Sequence, residues 1–432
     1  MARVDSAASS SAVTRWNFVV IVLDASFFFG AFAFLDPVAV LPVLLSDLSG
    51  SKIVVGLLSA LQRAGWLVPQ LLAASFVLHR PRKKPFVMYP VIISRLPFLG
   101  LAVLFNTGWA AAHPRWTLLL LMVGYGIFFF GDGLSGVPWH DIVGRTIPAQ
   151  LRGRFFGSMQ FLGGLLAVLA ALEVRRVLSD QSLAFPFNYG RLFLYLSFGM
   201  LLSTIFLAFI REPHGPVADE AQPQARLLRA IPATLRLYPL LRRGIVGQIL
   251  CGTAGLAVPF YAVYAHSRLH LPPATGGLFV GAATVGSVGA SLLWAYLSDR
   301  LGSTRVIRAV SWLVISVPVM ALLVAPLSRI MGETSLVFLY SLVFLLNGAT
   351  WGGMWMGFTN YVLEIAPVNI RPLFLGLQAT LSSPTVFMPL LGGWLLTFLP
   401  FQGLFALVVL GGVVSAIYVY RLPEPRREPV EG

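Results

Sequence analysis

The feature that most constrains this chain is a series of twelve apolar stretches, each long enough to cross a lipid bilayer as a helix. A helix needs about 20 mostly apolar residues to span the hydrocarbon core, because it rises only about 1.5 Å per residue. The stretches cover residues 18–46, 53–78, 86–106, 116–144, 152–177, 190–210, 243–266, 274–298, 305–326, 335–364, 371–398 and 402–420. This pattern predicts an all-α integral membrane protein with twelve transmembrane helices in a lipid bilayer.

Composition excludes the soluble classes of protein. Charged residues make up 11% of the 432 residues and hydrophobic residues 57%, whereas soluble domains carry about 25% charged residues. So little polar surface cannot cover a water-soluble enzyme, and so much apolar surface excludes a disordered chain. Cys251 is the one cysteine, so no disulfide can form within the chain. The polar segment Met1–Thr14 lacks the apolar core of a signal peptide, so we expect no removable leader.

The basic residues predict how the chain is oriented. Lys and Arg number 31 against 17 Asp and Glu, which gives a net charge of +14. They concentrate in the segments that share one side when both termini are placed in the cytoplasm, as the positive-inside rule requires. We therefore expect a multi-pass protein of the cell membrane with both termini cytoplasmic. The positive charge needs no nucleic-acid partner to explain it.

An internal repeat divides the chain into halves. The repeated positions are Pro148, Arg152, Phe155 and Gly157 in the first half and Pro367, Arg371, Phe374 and Gly376 in the second. Two six-helix halves joined by a polar linker are typical of duplicated transporters. We predict an N-terminal bundle over residues 1–210, a cytoplasmic linker over 211–242, and a C-terminal bundle with a short tail over 243–432.

The linker carries Arg226, Arg229 and Arg236 between leucine and isoleucine residues. This spacing is typical of an amphipathic helix that lies on the membrane surface. A solvated linker without a partner accounts for the same residues, so both interpretations remain open.

A loop motif connects the sequence to a known family. The segment from Ser298 to Arg305 reads Ser-Asp-Arg-Leu-Gly-Ser-Thr-Arg, and it resembles the Asp-Arg-x-Gly loop motif of the major facilitator superfamily. The resemblance extends over nearly the whole chain, although Leu78 replaces the aspartate in the first-half copy. It implies two pseudo-symmetric six-helix bundles that alternate access to a central site for a small-molecule substrate, in an uncharacterised subfamily.

Charged residues near the helix ends are candidates for a gate between the halves. They are Asp299, Arg300, Arg305, Arg152, Asp141 and Glu364. We expect Asp299 to approach Arg152, because a carboxylate gains on the order of 1 kcal/mol at a helix N-terminus. Asp141 could meet the basic loop after the second span, and Glu364 one of the two arginines in the second-half loop. The alternative is that these charges only set topology.

Four charged residues lie at mid-membrane depth in the first half: Asp24, Arg63, Arg95 and Asp132. An ionised group at the bilayer centre costs at least ~2.5–3.5 kcal/mol and usually marks a pathway or an ion pair. The four residues could form internal ion pairs, or some could bind substrate or protons. The family resemblance implies that the first and fourth helices line the cavity. It therefore favours Asp24 and Asp132 as site residues and Arg95 as a structural one.

The second half has no charge at comparable depth, and it offers neutral groups instead. Candidates for the substrate site are Gln248, Asn347, Trp351, Trp355 and Gln378. The residues on the tenth span follow a four-residue spacing and share one helix face. Aromatic and amide groups suit a mostly apolar pocket with a few orienting polar contacts. The tryptophans could equally be packing residues.

The sequence indicates a transporter rather than an enzyme. None of the three lysines follows a glycine, so a P-loop for ATP is absent, and we expect neither a cofactor nor a metal site. We predict a monomeric secondary transporter for a small organic solute, with proton symport, proton antiport and uniport all open. The aromatic run Phe128–Phe130 and the tryptophans favour efflux of an amphipathic compound. Import of a polar metabolite, and a scaffold or sensor on a transporter fold, are the alternatives.

Overall fold

The computed structural model describes residues 2–77, 82–212, 232, 234–367 and 371–425. Within these residues the chain is helical and contains no strand. Eleven segments among them are long and apolar enough to cross a membrane. The helix Lys52–Val77, with 26 residues, supplies the twelfth. The prediction of an all-α protein with twelve transmembrane helices in two six-helix bundles is therefore confirmed.

The chain divides into two compact units, Met1–Ser49 with Leu61–Ala221, and Gly50–Ala60 with Gln222–Gly432. The helices up to the end of the sixth span are α1 (Ala2–Phe32), α2 (Leu41–Ser49), α3 (Lys52–Val77), α4 (Lys84–Asn106), α5 (Trp109–Ala112), α6 (Pro114–Thr146), α7 (Arg152–Ser179) and α8 (Phe187–Ala208). The later ones are α9 (Pro239–Cys251), α10 (Phe260–Ser267), α11 (Thr275–Leu301), α12 (Ser303–Leu327), α13 (Glu333–Ile365), α14 (Arg371–Ser382), α15 (Met388–Leu395) and α16 (Phe401–Tyr420).

Two spans of the second unit are interrupted. Short 3₁₀ segments at Gly252–Leu256 and Ser383–Phe387 separate α9 from α10 and α14 from α15. Pro259 and Pro384 lie at these breaks, where a missing N–H and a fixed φ interrupt regular helix. The breaks adjoin each other, since a Cβ atom on Gly252 would meet the side chain of Thr385 at 2.5 Å.

The repeat has a structural counterpart in α6 and α13, which each contain 33 residues. Both end with an extended residue, Ile147 and Ala366, whose N–H groups donate to carbonyls four residues earlier at 2.9 and 3.0 Å. The next long helices, α7 and α14, begin at the repeated arginines Arg152 and Arg371. The same sequence signal therefore ends and restarts a helix in each half.

In the first unit, α1 packs on α7 and α8, and α4 packs on α6 and α8. Phe128 and Phe129 of α6 are buried in this packing, and the Phe98 and Phe128 ring centroids lie 4.7 Å apart. Only Phe130 of the aromatic run is exposed. Phe128 and Phe129 are therefore core residues, and efflux of an amphipathic compound stays a prediction.

In the second unit, α13 packs closely on α11 and α12. A Cβ atom on Gly286 of α11 would overlap the carbonyl oxygen of Leu345, and one on Gly348 of α13 would overlap that of Ala283. These glycines let the two backbones touch, which is how helices without a hydrophobic driving force associate in lipid. The predicted amphipathic linker helix lies mostly outside the described residues, because 213–231 and 233 are not among them.

Candidate functional site

Asp24 lies inside the helix packing of the first unit. Its side chain is 5% exposed. The hydroxyl of Ser203 on α8 donates to Oδ1 at 2.5 Å, and Nε1 of Trp139 on α6 donates to Oδ2 at 3.4 Å. The carboxylate is therefore held by neutral donors from two neighbouring helices.

Arg95 on α4 is held mainly by α8. Its Nη1 donates to the carbonyl of Met200 at 2.8 Å and to Oγ1 of Thr204 at 2.5 Å, while the guanidinium carbon lies 5.8 Å from the Phe28 ring centroid. The guanidinium interacts electrostatically with Asp24 and Asp132. Among the described residues, no nitrogen of Arg95 lies within 4.0 Å of either carboxylate. Arg95 therefore attracts the two carboxylates at a distance and does not form a direct ion pair with either of them.

Asp132 on α6 has a different environment. Its Oδ2 accepts a hydrogen bond of 2.9 Å from Nε1 of Trp66 on α3, and the Trp66 side chain is 50% exposed. A Cβ atom on the adjacent Gly133 would lie 2.6 Å from the carbonyl oxygen of Gly65. This close approach of α3 and α6 fixes the Trp66–Asp132 pair. Arg63, three residues before Trp66, lies partly buried on the same side of α3.

In the second unit, two predicted site residues meet directly. Nε2 of Gln378 on α14 donates to Oε1 of Gln248 on α9 at 2.9 Å. Each glutamine lies shortly before the 3₁₀ break in its own span. The amide pair therefore connects the two interrupted spans.

The three α13 candidates differ in exposure although they share a face. Asn347 is buried, Trp351 packs against the edge of the hydrophobic core, and Trp355 is 74% exposed. Trp355 is therefore the most exposed of the three.

The predicted gate residues mainly have partners close in sequence or in their own unit. Asp141 forms an ion pair with Arg145 at 2.8 Å, one helical turn away. Arg152 donates to the carbonyls of Gly144 at 3.0 Å and Ile147 at 3.3 Å. These bonds close the C-terminal end of α6. The approach of Asp299 to Arg152 stays a prediction.

The loop motif of the second unit also differs from the expected pairing. Glu364 was expected to meet Arg300 or Arg305, yet its Oε2 accepts a 2.6 Å hydrogen bond from Ser303. Arg300 instead lies 4.9 Å from the ring centroid of Tyr296, and Arg305 is exposed. A short hydroxyl at the start of α12 reaches the carboxylate without the entropy cost of ordering a long arginine side chain.

Two glutamates that the sequence analysis did not single out occupy corresponding places. Glu212, after α8, accepts the backbone N–H groups of Lys83 and Lys84 at 2.5 and 2.9 Å, at the start of α4. Glu424, after α16, packs on Gly302 at the start of α12, where φ is +91°. The Glu212 carboxylate therefore satisfies two free N–H groups at the positive end of the α4 dipole, whereas the contact of Glu424 with Gly302 is one of packing. A glutamate followed by proline after the last span of each half was the available signal.

Removing the Glu212 carboxylate should destabilise the first unit. Glu212→Ala leaves two half-buried N–H groups without their acceptor, so we expect a loss of about 1–2 kcal/mol, as for other helix caps. Thermal unfolding of the purified protein in detergent measures it. Glu212→Gln keeps one acceptor oxygen and should lose less. An unchanged melting temperature for the alanine variant would show that the cap contributes nothing.

Comparisons with known proteins place the fold. Residues 182–384 match the family model described as Major Facilitator Superfamily. No curated protein matches the chain. Similar solved structures include a bacterial homologue of the iron transporter ferroportin, inward-facing (15% identity, TM-score 0.70, 95% of this chain and 98% of that one). Others are a variant of the nucleoside transporter NupG (15%, 0.67, 94% and 99%) and a D-xylose–proton symporter (16%, 0.63, 96% and 98%).

These identities are low, so the structural matches support the fold and not a substrate. The family match spans the linker and parts of both halves. The structural matches cover 95% and 96% of this chain, and they agree with the twelve-helix duplicated fold. On these grounds the chain resembles the Major Facilitator Superfamily over residues 182–384, and its fold is the one that these solved transporters have.

Proposed function

We propose that this chain is a secondary transporter that carries a small organic solute across the cell membrane by alternating access, with Asp132 in the substrate or proton site. The observation that carries the proposal is the Trp66–Asp132 pair. A carboxylate at mid-span depth bonds to a half-exposed indole, with the charge of Arg95 nearby but not in contact. Ionisable residues at this depth usually serve transport, because otherwise their cost is uncompensated.

Asp132 is a better candidate than Asp24 because of its surroundings. Asp24 is enclosed by Ser203 and Trp139, which occupy both its oxygens. A solute or a proton would have to displace these donors within a packed interior. Binding of a solute or a proton to Asp132 requires only that Trp66 move away or share the carboxylate with it. We therefore assign Asp24 to the internal support of the first unit and Asp132 to solute or proton binding.

The second unit holds neutral side chains that suit the binding of an organic solute. Trp355 offers an exposed aromatic surface, and the Gln248–Gln378 pair offers directional hydrogen bonds. A pocket with aromatic walls and a few fixed polar groups suits an organic molecule of mixed polarity. Efflux of an amphipathic compound remains our first candidate on the strength of Trp355.

Import of a neutral polar solute is the second candidate, and the amide pair favours it. Both glutamines keep unused donors or acceptors after their mutual bond, because each amide has two N–H groups and an oxygen. NupG and the D-xylose–proton symporter, both similar in fold, are named for such solutes. We propose further that the chain acts as a monomer with both termini in the cytoplasm, as its basic residues indicate.

Reconstituted vesicles test the proposal. The purified chain is placed in liposomes, and a broad panel of labelled solutes is measured with and without an imposed pH gradient. We expect at least one solute to cross faster than in empty vesicles. Acceleration only with the gradient indicates proton coupling, and its direction separates symport from antiport.

If no solute crosses faster than in empty vesicles under either condition, the transport proposal fails. The chain would then be better described as a scaffold or sensor built on a transporter fold. The Asp132→Asn protein in the same vesicles is the matched control, since it differs only at the proposed site.

A further inference from the structure

A cavity of about 460 Å³ lies in the first unit, at the end where α4 begins and α8 finishes. Its wall combines two cations, Arg82 and Lys84, with the apolar surfaces of Met88, Tyr89 and Ile210. The proposed transport site does not use any of these residues. The cavity thus has a charged end and an apolar side.

The charged end has a net positive character. Both oxygens of Glu212, which also borders the cavity, accept backbone N–H groups at the start of α4. The ammonium of Lys84 donates to the carbonyls of Ala208 at 2.6 Å and Ile210 at 2.9 Å, which leaves one of its three N–H groups. The Arg82 side chain is exposed and adds a second positive charge.

The second unit places aromatic rings at the corresponding corner. There Arg308 of α12 donates to the carbonyls of Tyr420 and Leu422 at 3.2 and 3.0 Å, as Lys84 does to those of Ala208 and Ile210. Ala208 and Tyr420 are the last residues of α8 and α16. Tyr420 stacks on Arg308, and its hydroxyl accepts a 3.0 Å bond from Nε1 of Trp312.

The first unit lacks both of these aromatic rings. Ala208 replaces Tyr420, and Met88, four residues after Lys84, replaces Trp312, four residues after Arg308. The missing rings leave the space open in the first unit, with its cations facing it. The cavity is therefore a difference between two otherwise similar corners.

The cavity lies beside the first turns of a candidate membrane span. Lys84 is the first residue of a membrane-spanning helix, so the charged end lies at the boundary between the hydrocarbon and the polar layer. Tyr89, further into that helix, is 69% exposed. An anionic phospholipid has the same arrangement, with a phosphate joined to apolar chains. Basic pockets between spanning helices bind such headgroups.

We propose that this cavity binds the headgroup of an anionic phospholipid. The phosphate lies against Arg82 and Lys84, since charge-assisted bonds to phosphate are the strongest these side chains make. The first part of an acyl chain follows Met88 and Tyr89. Free phosphate is also an anion, but it has no acyl chain to contact the apolar side of the cavity.

Native mass spectrometry of the detergent-purified chain tests this, with phosphatidylglycerol, phosphatidylcholine and inorganic phosphate as separate probes. We expect phosphatidylglycerol to bind more tightly than phosphatidylcholine. Arg82→Gln should weaken the phosphatidylglycerol complex roughly fivefold, the effect of one basic residue at an anionic surface. Arg115→Gln is the control. It removes an exposed arginine at the start of α6, which does not line the cavity, and it should leave binding unchanged.

A second variant blocks the space and leaves the charges in place. Met88→Trp combined with Ala208→Tyr copies the aromatic corner of the second unit, and it should abolish the preference for phosphatidylglycerol. Should this double variant fail to fold, the Arg82→Gln result decides alone. Equal binding of the two lipids by the wild-type chain would overturn the proposal. So would displacement of phosphatidylglycerol by inorganic phosphate, or binding that Arg82→Gln and Arg115→Gln weaken equally.

Discussion

Replacing Asp132 with asparagine is expected to reduce transport roughly 10- to 100-fold, because a hydrogen bond to a charged group contributes about 1.5–3 kcal/mol and each ~1.4 kcal/mol is a factor of ten. Asparagine keeps the size of the side chain, and its oxygen can still accept the bond from Trp66 Nε1. The change therefore removes the charge and the capacity to carry a proton while it preserves the packing of α3 on α6. Solute flux into or out of reconstituted vesicles measures it.

Arg95→Lys is the matched comparison for that experiment. The lysine keeps the positive charge and can still donate to the Met200 carbonyl or to Thr204, so the balance of charge in the first unit survives. We expect Asp132→Asn to impair transport more than Arg95→Lys does. Wild-type flux in both variants would remove Asp132 from the site, and equal impairment would indicate that the charges act only as a structural network.

Gly286→Ala should have the largest effect on the fold. The new methyl group would overlap the carbonyl oxygen of Leu345, and the contact is with backbone, which cannot rotate away as a side chain can. We expect α11 and α13 to separate, at a cost of at least about 3 kcal/mol, the upper part of the range for overpacked cores. The yield of monodisperse protein and its melting temperature in detergent measure the loss.

Gly289→Ala is the control on the same helix. No atom lies within 4 Å of a Cβ built on Gly289, which is exposed. Alanine is also a better helix former than glycine, so this variant should be as stable as the wild type or slightly more so. If both variants behave alike, close contact of the two backbones is not what holds α11 to α13.

The fold was predictable from the sequence because lipid imposes a single strong requirement. Each span must be apolar over its whole length, so the stretches 86–106 and 402–420 almost coincide with α4 and α16. The repeated proline and arginine positions were also informative, since they end α6 and α13 and begin α7 and α14. These signals depend only on residue type along the chain.

The direction of individual side chains was not predictable in the same way. A helix that is apolar all round gives no periodicity from which its buried face could be read. The sequence could locate Asp24 at depth, but not that Ser203 and Trp139 would bind its two oxygens. Likewise, the four-residue spacing on α13 placed Asn347 and Trp355 together, yet one is buried and the other exposed.

The contacts that join the start of α4 to Glu212 and the start of α12 to Pro423 have a consequence for how the chain is synthesised. Lys84 and its acceptor Glu212 are 128 residues apart, and Thr304 and its partner Pro423, next to Glu424, are 119 apart. During translation, α4 therefore enters the bilayer before its acceptor Glu212 is made, and in each half three further spans must be made before the partner emerges. Each half can reach its mature form only after its sixth span has left the insertion machinery.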